Sequence, residues 1–568
     1  MSGSNDIRLD RIRLDRRGLI LSSLAATACV RDAASANPPP RIVADSHVHL
    51  FNASDLPIEG FLKYVVFPGD AASAPDWAAA LIDMFAAFYK PQAVTATAEN
   101  GPSQGLSPER DPQAFGLAAA QFIDQRVEAR QALDSGSASL RSSYEALCRA
   151  LADGTGVPRP AGKAMIAEGS QITAKAFERA AESASSELEL PARRARDLGT
   201  ASAGPCACDT PEPSDHGIDR AVRLIGWGYI LTNSRRSHLR RYVDRFASSD
   251  RVPRLLACLL IDYDYWLDDH PSAGSSMVDQ LATMAIIKKD LSGLADIRMF
   301  AGVCPLKLAL QTEGSKPRLF DQIKEMHARG EVHGLKLYPP MGFRPLGNSE
   351  LPDDAFDPRA KGRTTALAQW RATAGNKPLG PALDAALEEI YAFAEHAKAP
   401  IVAHAGPGNE AGPGYGQRAN PIFWERVVAR YRIRLSLGHL VNDTQPFLCA
   451  AAAGKPYPAC VWSLQGSLRM LDRRPDHAPD VYGDLAYMPE LIDDPALAKA
   501  FFVTLRKVFS PGDPDLTRVL YGTDWIMLGQ ERHDTRFLTK IEAGMQAASY
   551  TPDQIENILH RNAERFLS

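Results

Sequence analysis

Three observations predict an α/β fold, a (β/α)8 TIM barrel with a large, mainly helical insertion between strands 1 and 2. Eight short apolar runs recur along the chain, amphipathic segments separate most of them, and six of the eight expected strand ends carry an ionisable group. In order the runs are RIVADSHVHL (41–50), LLACLLIDYDYW (255–266), MFAGVCP (299–305), VHGLKLYPP (332–340), PIVAHAGPG (400–408), RLSLGHLVND (434–443), DVYGDLAYMP (480–489) and RVLYGTDWIM (518–527). A strand buried on both faces reads as a continuous apolar run rather than an alternation, which is the pattern of a parallel sheet covered by helices. PALDAALEEIYAFAEHAK (381–398) and IFWERVVARY (422–431) carry the period expected of those helices. A doubly wound open sheet is the structural alternative. It too keeps function at strand C-termini, but no glycine-rich phosphate loop follows the first run.

Residues 51 to about 250 fall between the first two strands, too many for a structureless loop. Helical spacing over 76–89, 115–133, 140–153 and 221–247 predicts an inserted helical domain at 53–250, with residues 37–52 and 251–568 forming the barrel. The Pro/Ser-rich stretch 182–217 reads as a mobile loop within it. Since strand 1 ends at the catalytic face of such a barrel, the insertion emerges there and is placed to cap the site.

The 568 residues, 45% of them hydrophobic, suffice for a large core, and a formal charge of −4 without a basic block points away from nucleic acid and anionic lipid. No apolar run reaches the length of a membrane span. Of the eight cysteines, Cys206 and Cys208 stand close together but lack a second Cys/His pair for zinc, whereas Cys258 and Cys304 lie in apolar runs as core residues. The first 36 residues place DRRGLIL before a short apolar stretch and an Ala34-Ser35-Ala36 cleavage pattern. This is the order of a twin-arginine export signal, which predicts a periplasmic protein; a disordered basic tail on a cytoplasmic protein is the alternative.

ADSHVHLFN (44–52) carries the chemistry. Residues i and i+2 of a strand share a face, so His47 and His49 are expected together at the barrel mouth as a clamp for a cation. His404 ends the fifth run, His439 the sixth and Asp524 the eighth. Three neutral imidazoles and a carboxylate match a catalytic zinc site with a position open for water. Such an ion lowers the pKa of its water to near 7, and Asp524 can carry the proton to a leaving group.

ADSHVHLF, GLKLYPP, IVAHAG, LSLGHL and VLYGTDW, in that order, resemble the amidohydrolase superfamily, most closely the amidohydrolase-related branch that includes metal-dependent decarboxylases and lactonases; IENILHRNAERFL (555–567) resembles that group's closing helix. The likeness spans roughly 41–52 and 250–568. It implies that His47, His49, His404 and Asp524 bind a divalent metal, most simply one zinc ion, and that His439 polarises the substrate carbonyl or moves a proton. In a binuclear relative His404 and His439 would hold a second ion bridged by a carboxylated lysine, and Lys336 stands at about that strand. For Lys336 we favour a buried ion pair or a substrate-carboxylate anchor. Tyr338 and Arg344 follow strand 4 and are candidates to bind a carboxylate-bearing substrate, with a loop arginine the default for Arg344.

Asp262 and Asp264 read as substrate contacts or solvated turn acids, Asn52 and Asp55 as supports of the histidine pair or turn formers. His216, His238, His270, His327, His396, His477, His533 and His560 read as surface residues, and His333 lies at the stability face. The expected activity is hydrolysis of an amide, lactone or ester of small size. Decarboxylation of an aromatic or unsaturated acid is the alternative, and a non-catalytic secreted binding protein the rival from another class. Neither a nucleic-acid nor a membrane partner is expected, and self-association is left open.

Overall fold

All eight apolar runs become strands of one parallel sheet in order β1 to β8: Arg41–Val48, Arg251–Leu259, Asp296–Gly302, Gly334–Leu337, Ile401–His404, Arg434–Gly438, Asp480–Asp484 and Val519–Leu520. The computed structural model describes residues 40–67, 75–100, 110–131, 137–158, 170–185, 217–248, 250–267, 274–357, 366–406, 410–440, 480–510, 512–531 and 533–568. The export segment, Cys206, Cys208, most of the 182–217 stretch and His216, His270 and His477 lie outside them. Hydrogen bonds close β8 onto β1: Ser46 N donates to Tyr521 O (3.0 Å), Asp524 N to His47 O (2.8 Å), and Val48 bridges Trp525. The sheet is thus a barrel with all C-terminal ends at one mouth.

Inside the barrel, Ala44, Ala257, Leu259, Phe300, Val402, Tyr482 and Leu520 form a separate apolar cluster, joined by Phe566 and Leu567 of the closing helix. This plug makes the barrel a filled core rather than a channel, so the polar residues sit above it at the mouth. Outside, Leu379–Ala397 and Trp424–Arg430 form where the amphipathic spacing predicts, and Met277–Asp290, Pro305–Glu313, Leu319–Ala328, Pro495–Phe509 and Phe537–Ala547 complete the described cover.

Between β1 and β2 the described residues are mainly helical: α1 Ala78–Met84, α2 Pro112–Gln131, α3 Ser137–Thr155, α4 Ser170–Ser185, α5 Gly217–Leu231 and α6 Arg235–Phe246. The stretch 221–247, read as one periodic segment, is two helices. The break falls at Thr232-Asn233-Ser234, where the Ser234 side chain accepts from Ser237 N and caps α6. Helix α4 was missing from the sequence reading, and residues 182–185 end it rather than open a loop.

Candidate metal centre

Strand β1 shifts register against β2 between Asp45 and Val48, and it is here that His47 sits. A bulge re-aims side chains at a strand end. His49 lies just past the strand, and the two rings stand 5.2 Å apart at 68°. His404 is the last residue of β5, and His439 follows β6 directly; their rings are 4.5 Å apart, and His439 is 4.9 Å from His47. Asp524 follows β8, its Oδ1 3.1 Å from His49 Nε2 and 3.7 Å from His47 Nε2. His47, His439 and Asp524 each offer a ligand atom within 4.8 Å of the others, close enough to share one ion.

The second nitrogen of three rings is already committed. His49 Nδ1 donates to Leu259 O (2.8 Å) and His439 Nδ1 to Ala486 O (3.1 Å), while His47 Nδ1 meets Asp484 Oδ2 (2.9 Å). A carbonyl only accepts, so His49 and His439 carry a proton on Nδ1, which leaves Nε2 to face the site, with His49 Nε2 3.1 Å from Asp524 Oδ1. His404 Nε2 is buried without a hydrogen-bond partner. Burial holds His47 and His404 well below the usual imidazole pKa, with Lys336 next in effect for His47 and His439 for His404. Burial also pushes Asp524 upward, but the His49 contact and the neighbouring imidazoles outweigh it and leave the carboxyl at about 2. The centre thus gathers ring nitrogens and a carboxylate at short range, and Lys336 Nζ, 3.3 Å from His47 Nε2, supplies a donor. Burial lowers Lys336 to about 8, against the pull of Asp484 and Asp524. An unpartnered buried imidazole nitrogen beside converging ring nitrogens and an ionised carboxylate is the donor set a divalent cation takes, so the residues fit one.

The backbone yields to this arrangement. His439 (φ 60°) and Asp524 (φ 58°) adopt the left-handed region, which costs side-chain-bearing residues on the order of 1–2 kcal/mol each. Gly438 and Gly522 flank the His47 ring and side-chain root so tightly that an added Cβ would stand 2.8 Å from its Cε1 and 2.9 Å from its Cβ.

Above the polar floor, Phe51, Leu56, Phe61, Ile261 and Met527 form an apolar wall, with Tyr263 and Tyr338 among them. Phe51, Leu56 and Phe61 belong to the segment that leads into the insertion. Tyr338 packs 4.3 Å from the His404 ring. The cavity measures about 20 Å³, enough for roughly one water-sized particle.

Other expectations are corrected. Arg344 is not among the pocket-lining residues; its guanidinium stacks 4.6 Å over Phe423 and lies 3.7 Å from Glu350. Asp262 and Asp264 are not solvated turn acids, since Lys307 Nζ binds both at 2.7 Å. His238 is no surface residue: it is buried, and its Nε2 bonds Ile230 O at 2.9 Å. Asn52 does form the turn, its Oδ1 accepting from Ser54 N, whereas Asp55 is drawn into a buried ion pair with Arg235. Sequence reasoning gave no role to Asp484, though the acid closing the seventh run was the available signal, nor to Asp45, visible just before the histidine pair. Tyr263, in the second run, carried no signal of its own.

A family model described as amidohydrolase matches residues 306–568. No curated protein matches the chain. Among solved structures, a probable 2-pyrone-4,6-dicarboxylic acid hydrolase from Acinetobacter baumannii, with citric acid bound, aligns at 12% identity and TM-score 0.33 over 58% of this chain and 88% of its own. A protein described as a metal-dependent hydrolase, from Lactobacillus casei, aligns at 13% identity and TM-score 0.32 over 93% of this chain and 95% of its own.

Proposed function

We propose that this chain is an enzyme of the amidohydrolase superfamily, whose family model matches residues 306–568, and that it hydrolyses a small amide, lactone or ester with one zinc ion at the barrel mouth. The observation that carries the reading is the convergence of His47, His439 and Asp524 within 4.8 Å while three imidazole Nδ1 atoms are held by Asp484, Leu259 and Ala486. His49 and His404 complete the set of residues that would hold the ion. A bound divalent ion would supply Lewis acidity, acidifying water to near neutral pH and polarising a carbonyl.

The protein's own groups do the rest. Asp524, ionised and at the pocket floor, accepts a proton from the attacking water and returns it to the leaving group. His439 presents an Nε2 lone pair, so it binds a cation or accepts a proton, and donates to a carbonyl oxygen only once protonated. The apolar wall excludes bulk water around the reacting carbonyl.

Lys336 beside the centre supports a second reading, decarboxylation of a substrate whose carboxylate it anchors. One experiment separates the two. Protein purified without added metal is assayed for metal content and screened against lactones, cyclic amides and aromatic carboxylic acids, before and after chelation. We expect about one equivalent of metal per chain and chelator-sensitive ring opening. Release of carbon dioxide instead selects the second reading, and less than about half an equivalent of metal defeats both. Export to the periplasm through residues 1–36 remains our proposal for location.

A further inference from the structure

We propose that Tyr242, on helix α6 of the insertion, is a positioning residue for the metal-ligand pair His47 and Asp524, acting through Asp45 and Thr523. Tyr242 lies outside the part of the chain that the family model matches, and the inference rests on reading His47 and Asp524 as ligands.

Asp45 is fully buried and accepts four hydrogen bonds. Its Oδ1 takes His47 N (2.9 Å) and Thr523 N (3.1 Å), and its Oδ2 takes Thr523 Oγ1 (2.6 Å) and Tyr242 Oη (2.6 Å). Thr523 Oγ1 in turn accepts from Trp525 N (3.1 Å), and Asp524 N donates to His47 O (2.8 Å). One carboxylate therefore pins the backbone of one ligand and that of the residue before another, across the seam where β8 closes on β1. Three of its four donors belong to that seam; the fourth is the insertion's phenol. The ring bearing it also packs against Trp525, 6.1 Å away, with Phe246 on the same indole at 5.7 Å.

Both ligands sit in irregular backbone, His47 at a register shift and Asp524 at positive φ, so neither is held by regular strand geometry. The short Tyr242–Asp45 bond (2.6 Å) fixes the orientation of Asp45, and with it the spacing of His47 and Asp524. Removing the phenol oxygen takes away one of the two donors to Asp45 Oδ2 while leaving the aromatic packing.

The test compares Tyr242→Phe with wild type and with Arg245→Ala. Arg245 ties the same helix to Asp534 (2.8 Å) without touching Asp45. Zinc ions alone serve as the probe, with affinity read by competition with a chromophoric chelator, and kcat and KM are measured separately. We expect Tyr242→Phe to weaken zinc binding about 10–100-fold and to lower kcat with KM little changed, while Arg245→Ala keeps wild-type affinity. Tyr242→Phe with wild-type zinc affinity, or an equal loss in Arg245→Ala, overturns the inference and leaves a plain structural brace. If Tyr242→Phe does not fold, Thr523→Val removes the other hydroxyl donor to the same oxygen, and the same affinity criterion decides. Wild type that binds no zinc defeats the reading of the ligands instead, a different result from wild type that binds and a variant that binds equally well.

Discussion

Two buried polar clusters stand on either side of the strand-1 turn, and they are built on opposite principles. At the mouth, imidazole nitrogens and the Asp524 carboxylate converge within ligand distance of one another, and His404 Nε2 is buried without a partner among the described residues. In the second cluster, Arg235 meets Asp55 and, at 2.9 Å, Glu99, while Glu99 also accepts from Arg235 N (3.2 Å) and Arg236 N (3.0 Å). There a guanidinium faces two carboxylates, only its Nε is left without an acceptor among the described residues, and the result ties α6 to the turn after β1. Burial alone therefore does not identify a functional site. Ligand atoms converging beside an unpartnered imidazole nitrogen do, because that arrangement is costly unless something binds.

The largest effects should follow from breaking each cluster in its own currency. Asp524→Asn removes the ionised group that the imidazoles hold at about 2, and turnover should fall by at least about 10²-fold, with the thermal midpoint at neutral pH lowered because the favourable carboxylate–imidazole attraction is lost. Undiminished turnover on the substrate would remove Asp524 from the mechanism. Arg235→Met should spare the metal. It leaves Asp55 and Glu99 buried without their cation, a loss of about 3–5 kcal/mol by denaturant melt, while zinc content per folded chain stays at the wild-type level. If Arg235→Met instead loses metal with its stability intact, the division between the two clusters is wrong.

The mouth was legible in the sequence because a parallel strand end is a fixed address. His47, His49, His404, His439 and Asp524 each follow an aliphatic run, and the barrel brings run ends together however far apart they lie in the chain. The residues that hold those groups were less legible. Asp484 ends a run and could have been inferred, but its bond to His47 Nδ1 depends on neighbouring strands. Tyr242 and Arg235 sit on a helix whose periodicity predicts helix and nothing about where it docks. The two halves of 221–247 show the same limit: apolar spacing continues across Thr232-Asn233-Ser234, and only the cap at Ser234 marks the turn. Arg344 shows the converse: its default as a loop arginine stands beside Glu350 and Phe423, and its candidate role at the substrate has no contact behind it.

A pH experiment separates the regions more finely. His238, one turn along α6 from Arg235, is buried and held at about 3, first by burial. Unfolded, it titrates near 6.5. Between those values the unfolded chain binds the proton and the folded chain does not, so stability rises with pH across that window and falls on acidification. From this imidazole alone the loss should reach about 2 kcal/mol at pH 5. In His238→Gln, whose amide can still donate to Ile230 O, that increment should vanish from the difference between melts at pH 7.5 and pH 5. An unaltered pH slope would mean that His238 is not kept neutral by the fold.

The smallest effect tests the boundary of the mouth itself. Arg344 follows β4 on the mouth side, and a guanidinium there would anchor a substrate carboxylate if it reached the pocket. It is partly exposed, 3.7 Å from a half-exposed Glu350 and stacked on Phe423, and such pairs contribute about 0–1 kcal/mol. Arg344→Ala should therefore change kcat/KM less than about twofold and stability by under about 1 kcal/mol. Lys336→Met, by contrast, removes a donor 3.3 Å from His47 Nε2 and should raise KM for any carboxylate-bearing substrate. If Arg344→Ala raises that KM tenfold and Lys336→Met leaves it unchanged, the substrate extends past the apolar wall toward β4, and the mouth is wider than the converging acceptors alone define.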